Sequence, residues 1–403
     1  MFLHRRHILA GVCALVLGAS PALAQKNYGP GVTDTEIKIG NIMPYSGPAS
    51  AYGIIGKTLA AYFGMINEKG GINGRKINFI TYDDGYNPAK TVEDARKLVE
   101  DDGVALILAP LGTPTNSAIH KYMNVKKVPQ LFIASGATKW GDPKNYPWSM
   151  GFQPNYQSEA IVYAKYILQH YPNEKIGVLY QNDDFGKDYL AGLKDGLGSK
   201  SSMIVAEVPY EVTAPTIDSE MVKLKALGTT LFINITTPKF AAQAIRKAAE
   251  LEWKPIHIMT NVSSSIGAVL KPAGFENAKG ILTAGYVKDA TDPVLANDAG
   301  VKEFKAFVEK YIPNPDLQNT EYGFALGQTM MQVLKQCGDD LTRENIMKQA
   351  ANLKAFKPGV LLDGITVNTS PTDYFPINRL RMARFNGERW EYFGPIIEGR
   401  ASS

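Results

Sequence analysis

The chain is poor in cysteine and histidine, with two of the first and five of the second in 403 residues. A disulfide-stapled scaffold is thereby excluded. The histidines beyond the first residues, His120, His170 and His257, lie far apart. None has a second His or Cys at metal-ligand spacing, so no metal is expected. Charge of one sign is also lacking: 43 basic and 39 acidic residues give +4. That balance leaves no electrostatic footprint for nucleic acid. No apolar run is long enough to span a bilayer. The G-x-S-x-G elbow and the G-x-x-x-x-G-K-[ST] phosphate loop are both absent. Gly70-Gly71-Ile72-Asn73-Gly74 follows a helical stretch and precedes a strand, which reads as a turn and not as a dinucleotide fingerprint. No catalytic constellation and no cofactor are expected. What remains is ordinary globular composition, 45% hydrophobic and 20% charged, with length for two domains.

The first residues carry an address. His4-Arg5-Arg6-His7 is a basic start, 8–17 is an apolar core, and Ala22-Leu23-Ala24 is a cleavage site. The expectation is a signal peptide over 1–24, cut after Ala24, and export without an anchor. Removing Arg5 and Arg6 takes the charge from +4 to +2. Removing Cys13 leaves Cys337 alone, so no intramolecular disulfide forms. Cys337 closes an apolar helical stretch and reads as a buried, inert thiol.

Strand and helix then alternate. Strands are expected over 37–43, 76–82, 104–109 and 128–134, with helices over 53–68, 88–100 and 115–124. Asn87 and Pro88 read as an N-cap and a first helical residue, and so do Thr113 and Pro114. The rhythm restarts with a helix over 155–170 and strands over 175–180, 203–210, 230–235, 256–260 and 280–287. Helices over 185–196, 216–227 and 239–251 separate them. Helices over 301–311, 321–336 and 343–353 follow, then strands over 359–367, 378–385 and 389–392. Asn386-Gly387 marks a hairpin. The fold class is α/β, with two consecutive halves built on doubly wound, mainly parallel sheets.

In such sheets ligands bind beyond the carboxyl ends of the strands. The loops there hold small, hydroxylated or aromatic residues: Tyr52, Thr113, Gly136, Ala137 and Thr138 in the first half. Phe185, Thr236, Thr237 and Asn261 hold the equivalent places in the second. Hydroxyls and helix-start N–H groups hold a carboxylate without a buried cation. Trp140 is balanced between stacking on a ligand ring and anchoring its loop. Asp83-Asp84 and Asp183-Asp184 are paired carboxylates at strand ends, read as turns or caps.

Ser46-Gly47-Pro48 with Tyr52-Gly53 leads to Ile66-Asn67-Glu68-Lys69-Gly70-Gly71-Ile72-Asn73-Gly74-Arg75-Lys76, and then to Tyr82-Asp83-Asp84 and Asn87-Pro88. With Ser135-Gly136-Ala137-Thr138, Asp184-Phe185-Gly186 and the Asn261 loop, this ordered set resembles the solute-binding proteins of branched-chain amino-acid ABC transporters. The resemblance covers essentially all of the chain beyond residue 24. It implies two Rossmann-like lobes joined by three crossovers, with lobe 1 over 25–152 and 285–356 and lobe 2 over 153–284 and 357–403. It implies a periplasmic, monomeric carrier that closes about a hinge on its ligand. Its partners would be a small solute and an inner-membrane permease with ATPase subunits; no nucleic acid is expected.

The resemblance also implies site roles. Tyr52 and Phe185 would pack on the ligand, and Thr113 would supply a hydroxyl to a carboxylate. Gly136, Ala137 and Thr138 would supply backbone groups and a hydroxyl. Thr236 or Thr237 would stand where amino-acid binders use Tyr, and Tyr286 would line the hinge side. Amino-acid binders set a carboxylate in the second lobe against the ligand's ammonium. The loop here, Met259-Thr260-Asn261-Val262-Ser263-Ser264, has no acid. The expected ligand is therefore a small aromatic or aliphatic acid. The alternatives are a branched-chain or other neutral amino acid held by Asp183 or Asp184, or a short-chain amide.

Overall fold

A computed structural model describes residues 26–399. The expected leader and its cleavage site lie outside the described residues. The βα rhythm folds as two sheets. In the first, Lys76–Asp83, Glu36–Met43, Leu106–Leu108, Gln130–Ile133 and Ser149–Gly151 lie side by side, and every pair is parallel. In the second, Ile204–Tyr210, Ile176–Gln181, Leu231–Ile235, Ile256–Met259 and Leu282–Gly285 repeat that order. Two antiparallel strands, Arg379–Phe385 and Trp390–Glu398, extend its far edge. Each parallel set runs second strand, first, third, fourth, fifth. Chain direction across the sheet therefore reverses between the first and third strands, and a crevice opens there.

Local chemistry sets the elements. Inner strands such as Leu106–Leu108 and Leu231–Ile235 are buried throughout, as strands covered on both faces must be. Asn87 accepts from the N–H groups of Ala89 and Lys90, and Pro88 opens that helix. Asn155 caps Tyr156–His170 through the Ser158 N–H at 2.8 Å, and Asp183 caps Asp184–Leu197 through Phe185 and Gly186.

The chain passes between the sheets three times: after Ser149–Gly151, after Leu282–Gly285, and between Arg343–Ala350 and Arg379–Phe385. The helices Ala299–Tyr311 and Leu317–Cys337 return to the first lobe. There Tyr62 of Gly53–Glu68 meets Phe307 and Phe324 edge-on, with centroids 6.0 and 5.3 Å apart. Among the described residues no helix is long and apolar enough to cross a membrane.

Three local expectations are corrected. No strand forms over 359–367; isolated bridges Val287–Leu361 and Phe356–Val367 stand in its place. Asp363-Gly364 turns the chain there, with Gly364 at φ 87°. The helix expected from residue 115 starts at Thr113, and its N-cap is Gly112, not Thr113. Gly112 has φ 102°, a conformation glycine tolerates, and a Cβ there would lie 2.5 Å from the Tyr86 ring. Ser149–Gly151, an edge strand inside the expected crossover, is too short to show a period.

Candidate functional site

Between the lobes lies a cleft with about 640 Å³ of space unfilled by atoms. The first lobe contributes Tyr52, Ile55, Tyr86, Leu111, Gly112, Thr113 and Ala134. The second contributes Phe185, Thr237, Asn261 and Val262. The crossing segments and the helix Leu317–Cys337 add Gln153, Tyr156, Tyr286, Val287, Gln318, Asn319 and Tyr322. No lining residue carries a formal charge. Five tyrosines and one phenylalanine make the walls apolar with polar tips.

Two helices start at this cleft from opposite lobes, Thr113–Lys126 and Pro238–Glu250, and neither has a side-chain cap. Their first N–H groups and dipoles favour negative charge. Thr113 adds a hydroxyl whose orientation follows from its neighbours. Ser135 Oγ accepts from Trp140 Nε1 at 3.0 Å and from the Ala137 N–H at 3.3 Å, which fills both lone pairs. Its own proton is then given to Thr113 Oγ1 at 2.7 Å. The Thr113 proton is then turned away from Ser135, toward the cleft side where the Tyr156 hydroxyl also lies. Across the gap, Asn261 donates Nδ2–H to the Ala284 carbonyl at 3.0 Å, and its N–H goes to Glu159 Oε1 at 2.8 Å.

Of the residues singled out from sequence, the fold gathers Tyr52, Thr113, Phe185, Thr237, Asn261 and Tyr286 around this cleft. It leaves four out of the lining. Gly136 is packed under Tyr156, whose ring would lie 2.7 Å from a Cβ there. Ala137 and Thr138 face a neighbouring surface depression. Thr138 gives its N–H and hydroxyl to Asp188 Oδ2 at 2.7 and 2.9 Å. Thr236 is buried and donates to Asn234 Oδ1 at 2.6 Å. Trp140 is a loop anchor, buried edge-on to His120, and does not line the cleft. Asp183 is consumed as a helix cap, and exposed Asp184 pairs with Lys139 at 2.6 Å. Neither lines the cleft.

Sequence reasoning missed Tyr86, which lies between Asp84 and Asn87 of a quoted motif, and Tyr156 and Tyr322, which sit in helices with no motif around them. It also missed Glu159, buried behind the cleft wall at 2% exposure. Burial pushes its carboxyl up to about 7, against the pull of the Asn261 N–H and the Tyr163 hydroxyl. The helix cap at Asn155 could have flagged the position, since the acid falls one turn later on the buried face. The remaining titratable candidates are structural. Burial drives His120 down to about 4 and His257 to about 3, and raises the Cys337 thiol to about 12.

The lobes touch across the cleft mouth. Tyr52 donates its hydroxyl to the Val262 carbonyl at 2.9 Å, and Thr138–Asp188 and Lys139–Asp184 bridge the rim. Among the described residues no group of three His, Cys, Asp or Glu side chains is placed to hold a metal.

A chamber of this kind, closed by two lobes over neutral walls, defines a solute-binding protein. Residues 36–389 match the family profile described as "Periplasmic binding protein", and the chain belongs to that family: it carries a solute and is not an enzyme. Family membership places it in the periplasm. A Leu/Ile/Val-binding protein homolog 7 from Brucella suis is 22% identical over 350 residues, 82% of either chain. A branched-chain amino-acid ABC transporter structure from Thermus thermophilus with bound valine has a TM-score of 0.83 at 17% identity, covering 91% of this chain and 97% of that one. A fatty acid ABC transporter substrate-binding protein from Thermomonospora curvata has a TM-score of 0.75 at 21% identity, covering 94% and 95%.

Proposed function

We propose that this protein captures a small carboxylate-bearing organic solute, aromatic or aliphatic, and delivers it by hinge closure to an ABC importer's permease. The observation that carries this reading is the cleft's electrostatics. Two uncapped helix starts and the Thr113 hydroxyl favour an anion, while no lining carboxylate awaits an ammonium. A buried ammonium without a counter-charge is costly. The tyrosines and Phe185 supply an apolar bed for the solute's body. Thr113 sits in the first lobe and Thr237 and Val262 in the second, so ligand contacts on both sides stabilise the closed form. The protein acts as a monomer in this account.

A second reading has its own support. The Brucella relative is named for leucine, isoleucine and valine, and the Thermus structure holds valine. An α-amino acid would then rely on neutral acceptors for its ammonium, such as the Asn261 and Gln318 side-chain oxygens and the tyrosine hydroxyls. A thermal-shift screen of refolded protein separates the two. A ligand at about a hundred times its Kd adds roughly 2.7 kcal/mol. Aliphatic and aromatic acids are expected to raise Tm where leucine and valine do not. Shifts from leucine or valine alone would replace the first reading with the second.

A further inference from the structure

A second cavity adjoins the cleft on its hinge side, sharing Val287 and Gln318 with it. It holds about 1080 Å³ of space unfilled by atoms. Four stretches wall it: Ile266-Gly267, the crossing segment after Leu282–Gly285, the start of Leu317–Cys337, and the tail hairpin at Arg389 and Trp390. Unlike the cleft, it is lined by charges, and their bookkeeping is uneven. Its two cations are occupied. Lys288 Nζ donates to Asp298 Oδ2 at 2.7 Å, and Arg389 lies 3.6 to 3.8 Å from Glu391, Glu388 and Asp292. Asp289 and Asp316 are bonded only by neutral donors, and no ion pair reaches either among the described residues.

Glu321 is the key residue. It is 2% exposed, lines the cavity, and has one hydrogen bond, from the Ala290 N–H to Oε1 at 2.9 Å. Its Oε2 has no partner. Beside it, Gln318 donates Nε2–H to Ser264 Oγ, which leaves a buried Oε1 with no donor at all. Two acceptors, one acidic, therefore lack donors in a cavity whose own cations are engaged elsewhere. Gln318 Oε1 is fully buried without a donor, and Glu321 Oε2 faces the cavity, so a donor entering it would serve both. Burial with Asp289 nearby drives the Glu321 carboxyl well above the usual range, as expected for an acid with no counter-ion.

We infer that this side cavity is a subsite for an organic ammonium group, whose N–H donors bind Glu321 Oε2 and Gln318 Oε1. Val287, Trp390 and Tyr392 offer apolar surface for the attached carbon chain. The inference does not rest on the carboxylate reading of the cleft. The ammonium group has two possible sources, a free cation or the far end of a molecule whose other end fills the cleft.

The test titrates pentylammonium chloride, sodium pentanoate and 5-aminopentanoate into the refolded full chain by calorimetry, against matched sodium chloride. Pentylammonium is expected to bind, and Glu321→Gln to weaken it by about tenfold or more, the size of one charged hydrogen bond. Glutamine keeps the acceptor for the Ala290 N–H, and an unchanged circular dichroism spectrum would certify the variant's fold. Should Glu321→Gln fail to fold, Gln318→Leu carries the same test with an expected several-fold loss. If 5-aminopentanoate binds more tightly than either half-molecule, the cavity extends the cleft. If pentylammonium and pentanoate bind together without competing, it serves a separate cation. Both outcomes support the subsite. A pentylammonium response no greater than that of sodium chloride, or one untouched by the variants, would overturn it, and pentanoate binding would still stand as a separate result.

Discussion

The cleft and the side cavity share a wall and differ in chemistry. One is lined by tyrosines, threonines and amides without a charge; the other by Lys288, Asp289, Asp316, Glu321, Glu388 and Arg389. On the proposed reading, a site between closing lobes prefers an anion without storing a cation. A lysine in the cleft would bear its desolvation cost each time the empty lobes closed. Helix starts and a hydroxyl oriented by Ser135 cost less when empty, and they act once a carboxylate arrives. The side cavity instead holds acids, Glu321 included, that no ion pair reaches among the described residues, and an ammonium group would supply the missing partner.

Glu159 tests how neutral the cleft is, and it has the largest expected effect. Its folded value is about 7 against an ordinary 4.5. Between those pH values the folded state holds a proton that the unfolded chain has lost. Stability is therefore fully present below about pH 4.5 and falls as pH rises through about 7. Glu159→Gln should flatten the melting profile from pH 5 to 8, with a gain at pH 8 of up to about 3 kcal/mol. Acid binding should persist in the variant. Loss of binding together with an unflattened profile would make Glu159 a hidden ammonium partner and break the contrast between the cavities.

Thr113→Val comes next. It removes the hydroxyl at nearly constant shape and strands the buried Ser135 proton, so carboxylate affinity should drop about tenfold or more and stability should fall by about 1–3 kcal/mol. Calorimetry with unchanged affinity would show that the anion sits elsewhere. Asp188→Ala should weaken binding several-fold by loosening the closed form, since Asp188 receives both Thr138 donors at the rim. A ligand off-rate equal to that of the parent protein would show that the rim contact is idle. Asp184→Asn should change least. Its pair with Lys139 is exposed, and such pairs contribute about 0–1 kcal/mol. A large loss of affinity in this variant would restore Asp184 as a ligand partner.

Much of this was legible in the sequence, and the reasons are local. Gly53–Glu68 was readable to the residue because its period ends in Lys69-Gly70-Gly71, and Gly71 N–H does return to the Ile66 carbonyl at 2.9 Å. Strand-end loops located Tyr52, Thr113, Phe185, Thr237 and Asn261, because topology alone puts them at the crevice. Thr138 and Thr236 were indistinguishable from these in sequence, since a threonine at a strand end gives no sign of whether it faces ligand or, as here, Asp188 and Asn234. Tyr156 and Tyr322 stayed hidden inside helical periods that read as core. The side cavity had no signature at all, because its walls are drawn from stretches spread between Ile266 and Tyr392 and meet only through the third dimension.

The most direct test of the central claim compares two molecules that differ by one amino group. Leucine and 4-methylpentanoate share their branched chain and carboxylate, and only leucine carries the ammonium. Calorimetry on the refolded protein should show 4-methylpentanoate binding at least about tenfold tighter than leucine, the cost of an uncompensated buried charge. Tighter binding of leucine would mean that the neutral cleft finds its counter-charge after all, and the carboxylate-only account would fall.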